Sequence, residues 1–187
     1  SCLQLAFDRS GKLWCGYSRA LQRLDKDSWL DATVTLTEES QMMVDGGGVA
    51  WALLADLHPA WLEDGRIQAH AFQGDPTTRL VRSLSDGAVA FSRVAAGRTE
   101  VVDVEGRTRF SIPRAEGTRP WLIDRNGALW TTTGETLELW FPAREPPLLQ
   151  LALPEAGRVL TAFEDSERNV WLGSATGGLY RVQASAI

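Results

Sequence analysis

Apolar residues in this chain fall in short runs, many of them alternating with polar positions, and each run ends at Gly, Pro, Asp or Asn. Leu137–Phe141 alternates, Leu13–Tyr17 and Val170–Ser174 are β-rich, and Leu148–Leu153 is a short apolar run. Runs of this length with a period of two predict strands closed by turns. The expected strands are Leu3–Phe7, Leu13–Tyr17, Ala20–Leu24 and Leu30–Leu36, then Gln41–Val44, Val49–Leu54, Ala60–Glu63 and Arg66–Phe72. Next come Arg79–Leu84, Ala88–Arg93, Thr99–Val104 and Thr108–Ile112, followed by Pro120–Ile123, Ala128–Thr132, Leu137–Phe141 and Leu148–Leu153. The last three are Val159–Phe163, Val170–Ser174 and Gly178–Val182. No segment reads as a helix; the nearest, Trp51–Glu63, is interrupted by Pro59.

A phrase recurs in phase with these strands: Asp, then Gly three residues on, then an aromatic three beyond. It is complete as Asp8/Gly11/Trp14, Asp45/Gly48/Trp51 and Asp124/Gly127/Trp130. Asp165/Trp171 has Arg168 at the Gly position, and the middle copy keeps only Gly87, with its aromatic one residue late at Phe91. Positions 14, 51, 90, 130 and 171 are spaced by 37, 39, 40 and 41 residues. Four antiparallel strands in a period near forty make one blade, and the chain is read as an all-β, single-domain β-propeller of five blades. The repeats run over 1–37, 38–75, 76–115, 116–155 and 156–187, the last one incomplete. Asp-x-x-Gly supplies a tight turn, Gly taking positive φ without a Cβ clash. The aromatic then fills the wedge between stacked blades, so these residues are assigned to architecture.

The fifth copy, Phe163-Glu-Asp165 with Asn169-Val-Trp171-Leu-Gly173-Ser174 and Gly178-Leu179-Tyr180-Arg181, resembles the two-component regulator propeller repeat. The first (Phe7-Asp8, Gly11-Lys-Leu13-Trp14-Cys-Gly16, Leu21-Gln-Arg23) and fourth (Asp124-Arg-Asn-Gly127-Ala-Leu129-Trp130) match it as well, whereas the second and third are degenerate. The resemblance implies a sensory or protein-interaction propeller from the extracytoplasmic part of a bacterial signalling protein, facing the periplasm. Propellers of that family often have seven blades, and this chain departs from that number. Only 13 residues precede Trp14 and 16 follow Trp171. A compact five-bladed ring with one thin blade is expected; the alternative is part of a larger ring, whose open edges would favour self-association.

Composition narrows the function by exclusion. A net charge of −5 and a pI near 5.1 argue against a nucleic-acid partner. No apolar run reaches the ~20 residues of a membrane-spanning helix, and no signal peptide is visible. Cys15 is placed opposite Leu5 across the first turn, so Cys2 and Cys15 are expected to be separate thiols. Asp45-Gly-Gly-Gly48 is the repeat's turn rather than a phosphate loop, and no Cys or His pair has metal-ligand spacing, so neither cofactor nor metal is expected. A propeller lyase of the streptogramin-cleaving type is the enzymatic rival. It would look for a histidine base, and the chain offers His58 in a loop and His70 on an outer strand.

The expected ligand surface is therefore the rim where loops entering each first strand meet those between second and third strands. It comprises Tyr17, Arg19, His58, Arg79, Arg93, Arg119 and Arg158. Arg79, Arg119 and Arg158 stand near the start of the first strand in three successive blades, a ring of cations suited to an anionic sugar or a carboxylate-bearing partner. The competing expectation pairs each of these arginines with a neighbouring acid such as Asp75, Glu116 or Glu155. The ligand is a small molecule, a glycan or a protein.

Overall fold

A computed structural model describes residues 4–17, 20–36, 42–45, 47–71, 73–83, 89–113, 116–153 and 158–183. Nineteen strands and no helix lie among them. The first blade is β1 (Gln4–Phe7), β2 (Leu13–Tyr17), β3 (Ala20–Asp25) and β4 (Ser28–Thr35). The second is β5 (Met42–Val44), β6 (Ala50–Leu53), β7 (Pro59–Glu63) and β8 (Arg66–Ala69). The third is β9 (Arg79–Ser83), β10 (Val89–Ala95), β11 (Arg98–Asp103) and β12 (Thr108–Pro113). The fourth is β13 (Thr118–Ile123), β14 (Leu129–Thr133), β15 (Thr136–Trp140) and β16 (Leu149–Ala152). Three strands, β17 (Val159–Glu164), β18 (Asn169–Ser174) and β19 (Leu179–Gln183), form the fifth.

Every blade is an antiparallel meander in chain order, which short turns favour over crossovers. The third and fourth blades are joined into one eight-stranded sheet because their first strands, β9 and β13, pair in parallel, Arg82 with Leu122 and Ser83 with Ile123. An isolated bridge between Leu36 and Leu54 ties the first blade to the second. Strand alternation sends one face of each blade forward to the next blade and the other face back.

Four apolar clusters fill the successive junctions. Ala6, Trp14 and Leu21 meet Met42, Ala50 and Leu62 between blades one and two. Trp51 and Met43 meet Val89, Phe91 and Val102 at the next junction. Val81, Ala90 and Val101 meet Ile123, Leu129 and Trp140 between blades three and four. Leu122, Trp130 and Leu137 meet Val159, Val170 and Leu172 at the last.

The turns show what the repeated phrase builds. In four blades the Asp carboxylate accepts the indole N–H of the Trp six residues on: Trp14 to Asp8 at 2.9 Å, Trp51 to Asp45 at 3.0 Å, Trp130 to Asp124 at 2.8 Å and Trp171 to Asp165 at 2.7 Å. Its other oxygen accepts the backbone N–H four residues on, from Lys12, Val49, Ala128 and Asn169. Turn and wedge are thus one hydrogen-bonded unit. The third blade's turn, with Gly87, lies outside the described residues.

The packing corrects two expectations. Phe91 is not a displaced wedge: it packs back toward blade two, while Ala90 faces forward. A one-residue step along a strand reverses the face, and Trp140 of blade four fills the room Ala90 leaves. Cys15 is buried and disulfide-bonded, not a free thiol. Its register opposite Leu5 is as expected, but a ladder constrains only the residues it pairs, and pairing starts at Gln4. The only other cysteine, Cys2, lies outside the described residues. Among the described residues no apolar cluster joins blade five to blade one, and Leu5 (62%), Phe7 (61%) and Leu179 (61%) are exposed there.

Candidate functional site

The five first strands converge on an axial cavity of about 330 Å³. Leu5, Met42, Met43, Val44, Leu80, Pro120, Leu160, Ala162 and Phe163 bring apolar side chains to it, beside the polar Thr161 and exposed strand backbone. Arg79 and Arg119 supply charge, and no carboxylate is among the described residues that line it.

Two bulges shape the wall. Trp121 is the unpaired residue between the Pro120–Thr131 and Leu122–Trp130 pairs, and Leu160 is the unpaired residue between Val159–Ser174 and Thr161–Gly173. An extra residue re-aims a side chain out of the regular alternation, and both of these line the cavity. The Trp121 indole donates to Thr132 Oγ1 at 2.9 Å, and the Arg119 guanidinium lies 4.6 Å from its ring centroid. That stack holds the guanidinium against the indole face. Arg79 Nη1 donates to the carbonyls of Thr78 (2.8 Å) and Pro76 (3.2 Å) in its own loop, and Asp75 in that loop accepts from Thr77.

Two of the seven rim residues expected from sequence, Arg79 and Arg119, thus meet at the cavity, at corresponding positions of the parallel pair β9 and β13. Arg158, Arg93 and His58 do not join them. Arg158 is exposed just before β17 and is not among the lining residues. Arg93 pairs across its own blade with Glu100, 3.0 Å from Nη2 to Oε2, and His58 Nδ1 lies 3.3 Å from Asp56. Those two are held by the acids beside them. His70 is in edge contact with Trp61 on the second blade. Tyr17 ends β2, its side chain outside the described residues, and Arg19 also lies outside them. Sequence reasoning missed Trp121, Leu160 and Phe163; Pro120 inside a first strand was the signal for a bulge.

At the opposite end, the Asp turns link neighbouring blades. Arg9 Nε donates to the Gly47 carbonyl at 3.0 Å, and Glu164 accepts the Arg125 backbone N–H at 2.9 Å. Burial, reinforced by the charge of Asp124, holds the Glu164 carboxyl above its ordinary range against the pull of that N–H. The Trp171 indole and the Asn169 amide bring Asp165 down to about 2. Burial pushes Asp8 up, but donors from Ser10, Trp14, Lys12 and Gly65 together leave it low. Asp103, in a related turn between β11 and β12, is likewise pushed up by burial yet left low by the Arg107 and Glu105 donors and the Arg107 charge. These shifts belong to structural turns, not to the cavity. Among the described residues no group of three or more His, Cys, Asp or Glu is placed to hold a metal ion.

A meander of blades around a common axis, with a cavity between the first strands, defines a β-propeller. Solved structures agree. A virginiamycin B lyase from Staphylococcus aureus matches with a TM-score of 0.64 at 12% identity, over 97% of this chain and 66% of the lyase. The WD40 propeller domain of Doa1 matches with a TM-score of 0.65 at 15% identity, over 96% and 62%. A gluconolactonase from Xanthomonas campestris matches with a TM-score of 0.62 at 19% identity, over 95% and 70%. The chain spans just under two thirds of the length of the lyases it matches. No protein-family model and no curated protein sequence matches.

Proposed function

We propose that this chain is the propeller of a bacterial two-component-type sensor or interaction protein, taking an anionic ligand with an apolar body at the axial cavity. The observation that carries the reading is the cavity wall: two guanidiniums, one stacked on Trp121, set among apolar side chains with no carboxylate among the described lining residues. A carboxylate or acidic sugar would bridge Arg79 and Arg119 while its apolar part lies on Met42, Leu80 and Phe163. The repeat phrases support the sensor assignment, and the disulfide at Cys15 is in keeping with an oxidising, extracytoplasmic setting.

The rival reading, a propeller lyase, draws support from the fold shared with streptogramin-cleaving enzymes. One such structure is a histidine-to-alanine variant described as catalytically inactive, with quinupristin. Here neither His58 nor His70 is among the residues lining the cavity, which favours binding over catalysis.

A thermal-shift screen of small aromatic and aliphatic carboxylates and uronic acids, alongside their neutral amides or alcohols, tests the proposal. Hits are expected among the acids only, with affinity falling at least about tenfold in Arg119→Ala, the loss of one charge-assisted bond. Equal binding by acids and neutral analogues, or acid binding indifferent to Arg79→Ala and Arg119→Ala, would sink it. Turnover of a bound lactone or macrocycle would favour the rival.

A further inference from the structure

We infer that the outer junction of blades three and four carries a second binding surface, a basic trough that takes an extended acidic segment of a partner polypeptide. The trough holds about 490 Å³ and shares no lining residue with the axial cavity. Besides Arg98, two continuous stretches line it: residues 109–112 of β12 and residues 141–145, the loop that follows β15. At about 3.4 Å per residue the β12 stretch runs roughly 10 Å, so the trough is elongated and suits an extended chain. β12 is the last strand of its blade and, among the described residues, pairs only with β11. Phe110 and Ile112 are buried in one cluster with Trp140 of blade four, which gives the trough a firm base beneath its exposed charges.

The charges set the partner's chemistry. Arg98, Arg109 and Arg144 line the trough with one described carboxylate, that of Glu145, in a chain whose net charge is −5. Arg98 is held in place. Its Nε donates to Ser111 Oγ at 2.7 Å, and its Nη2 donates to the Ser111 carbonyl at 2.8 Å and to Glu145 Oε1. Those bonds engage Nε and Nη2 among the described residues, and the Nη1 edge of the guanidinium suits an incoming carboxylate. Glu145 shows that a carboxylate fits against Arg98. Arg144 and Glu145 are exposed on the loop, whose Ala143 takes a φ of 58°. A left-handed backbone at a residue other than glycine is strained, and the Arg98–Glu145 ion pair ties the loop in that form to blade three. A segment with several carboxylates is attracted to such a surface, whereas a basic segment is repelled.

Fluorescence anisotropy tests this with a labelled peptide of about eight residues, alternating Glu and Val and long enough to span the trough, beside the same peptide with Gln for Glu. The acidic peptide is expected to bind and its Gln counterpart not, with affinity falling steeply as salt rises. Arg98→Ala and Arg144→Ala are each expected to weaken binding about fivefold or more. Arg66→Ala, on the exposed outer strand of blade two, is expected to leave it unchanged. Glu145→Gln keeps an oxygen acceptor for Arg98 but removes the competing charge, so it is expected to tighten binding about threefold. Melting curves check that each variant is folded; if Arg98→Ala is not, Arg144→Glu takes its place, with binding lost. No binding of the acidic peptide, equal binding of its Gln counterpart, or binding indifferent to both arginine substitutions overturns the proposal. Weaker binding by Glu145→Gln overturns it as well. Free glutarate that competes as strongly as the unlabelled peptide would show a small anion to be the occupant, which likewise overturns it.

Discussion

The residue that organises each repeat is the aspartate. Its carboxylate closes the turn through one oxygen and anchors the indole through the other, so removing it strands several donors at once. In blade four those include the buried Trp130 Nε1 and Ala128 N–H, at 2.8 and 2.9 Å. Asp124→Ala is expected to cost about 2–4 kcal/mol in urea unfolding, because buried donors are left without acceptors. The fifth turn breaks the rule at Arg168, which takes φ of 68° where its siblings have glycine. A side chain in that region costs about 1–2 kcal/mol, partly offset by the greater backbone freedom of glycine in the unfolded chain. Arg168→Gly should thus raise stability by about 0.5–1 kcal/mol, measured in the same way.

Acid sensitivity belongs to these residues too. Asp8, Asp103 and Asp165 have folded pKa values below the ordinary 3.8, Asp165 near 2. Their contribution is present above pH 4 and is lost as pH falls toward 2. Glu164, held above its ordinary value of 4.5, acts in the opposite sense, favouring the folded state at low pH and losing that effect as pH rises. The urea midpoint is therefore expected to fall between pH 4 and 2, and less steeply in Asp165→Asn. A flat profile over that interval would show that the turn carboxylates do not stabilise the fold.

At the scale of the strand and blade, much was legible in the sequence. All nineteen strands stand within a few residues of where alternation and turn residues put them, because each is short, half-buried and closed by Gly, Asp or Asn. What alternation cannot reveal is an extra residue. The bulges at Trp121 and Leu160 turn side chains into the axial cavity, and no periodic pattern marks them except Pro120. For that reason the sequence placed Arg79 and Arg119 near the first strands, where both line the cavity, but gave no sign of the aromatic side chains beside them. Phe91 was misread for a related physical reason: an aromatic one residue late lies on the other face of the sheet, not on the same face displaced. Arg93 and His58 needed knowledge of their neighbours, since Glu100 and Asp56 meet them only through a cross-strand pair and a loop turn.

For the whole molecule the consequence, among the described residues, is five blades with four filled junctions and an outer face of blade five that no apolar cluster covers. The same tryptophan therefore has two energetic roles depending on which blade carries it. Trp130 fills a junction, so Trp130→Ala opens a cavity worth about 3–5 kcal/mol. Trp171 is only partly buried, and its truncation forfeits one hydrogen bond and one ring stack, about 2 kcal/mol together. Urea unfolding of Trp130→Ala and Trp171→Ala, side by side with the parent chain, tests this most directly. A loss for Trp130→Ala clearly larger than that for Trp171→Ala is the expected result. Equal losses would contradict it, because they would mean that blade five is covered as fully as blade four.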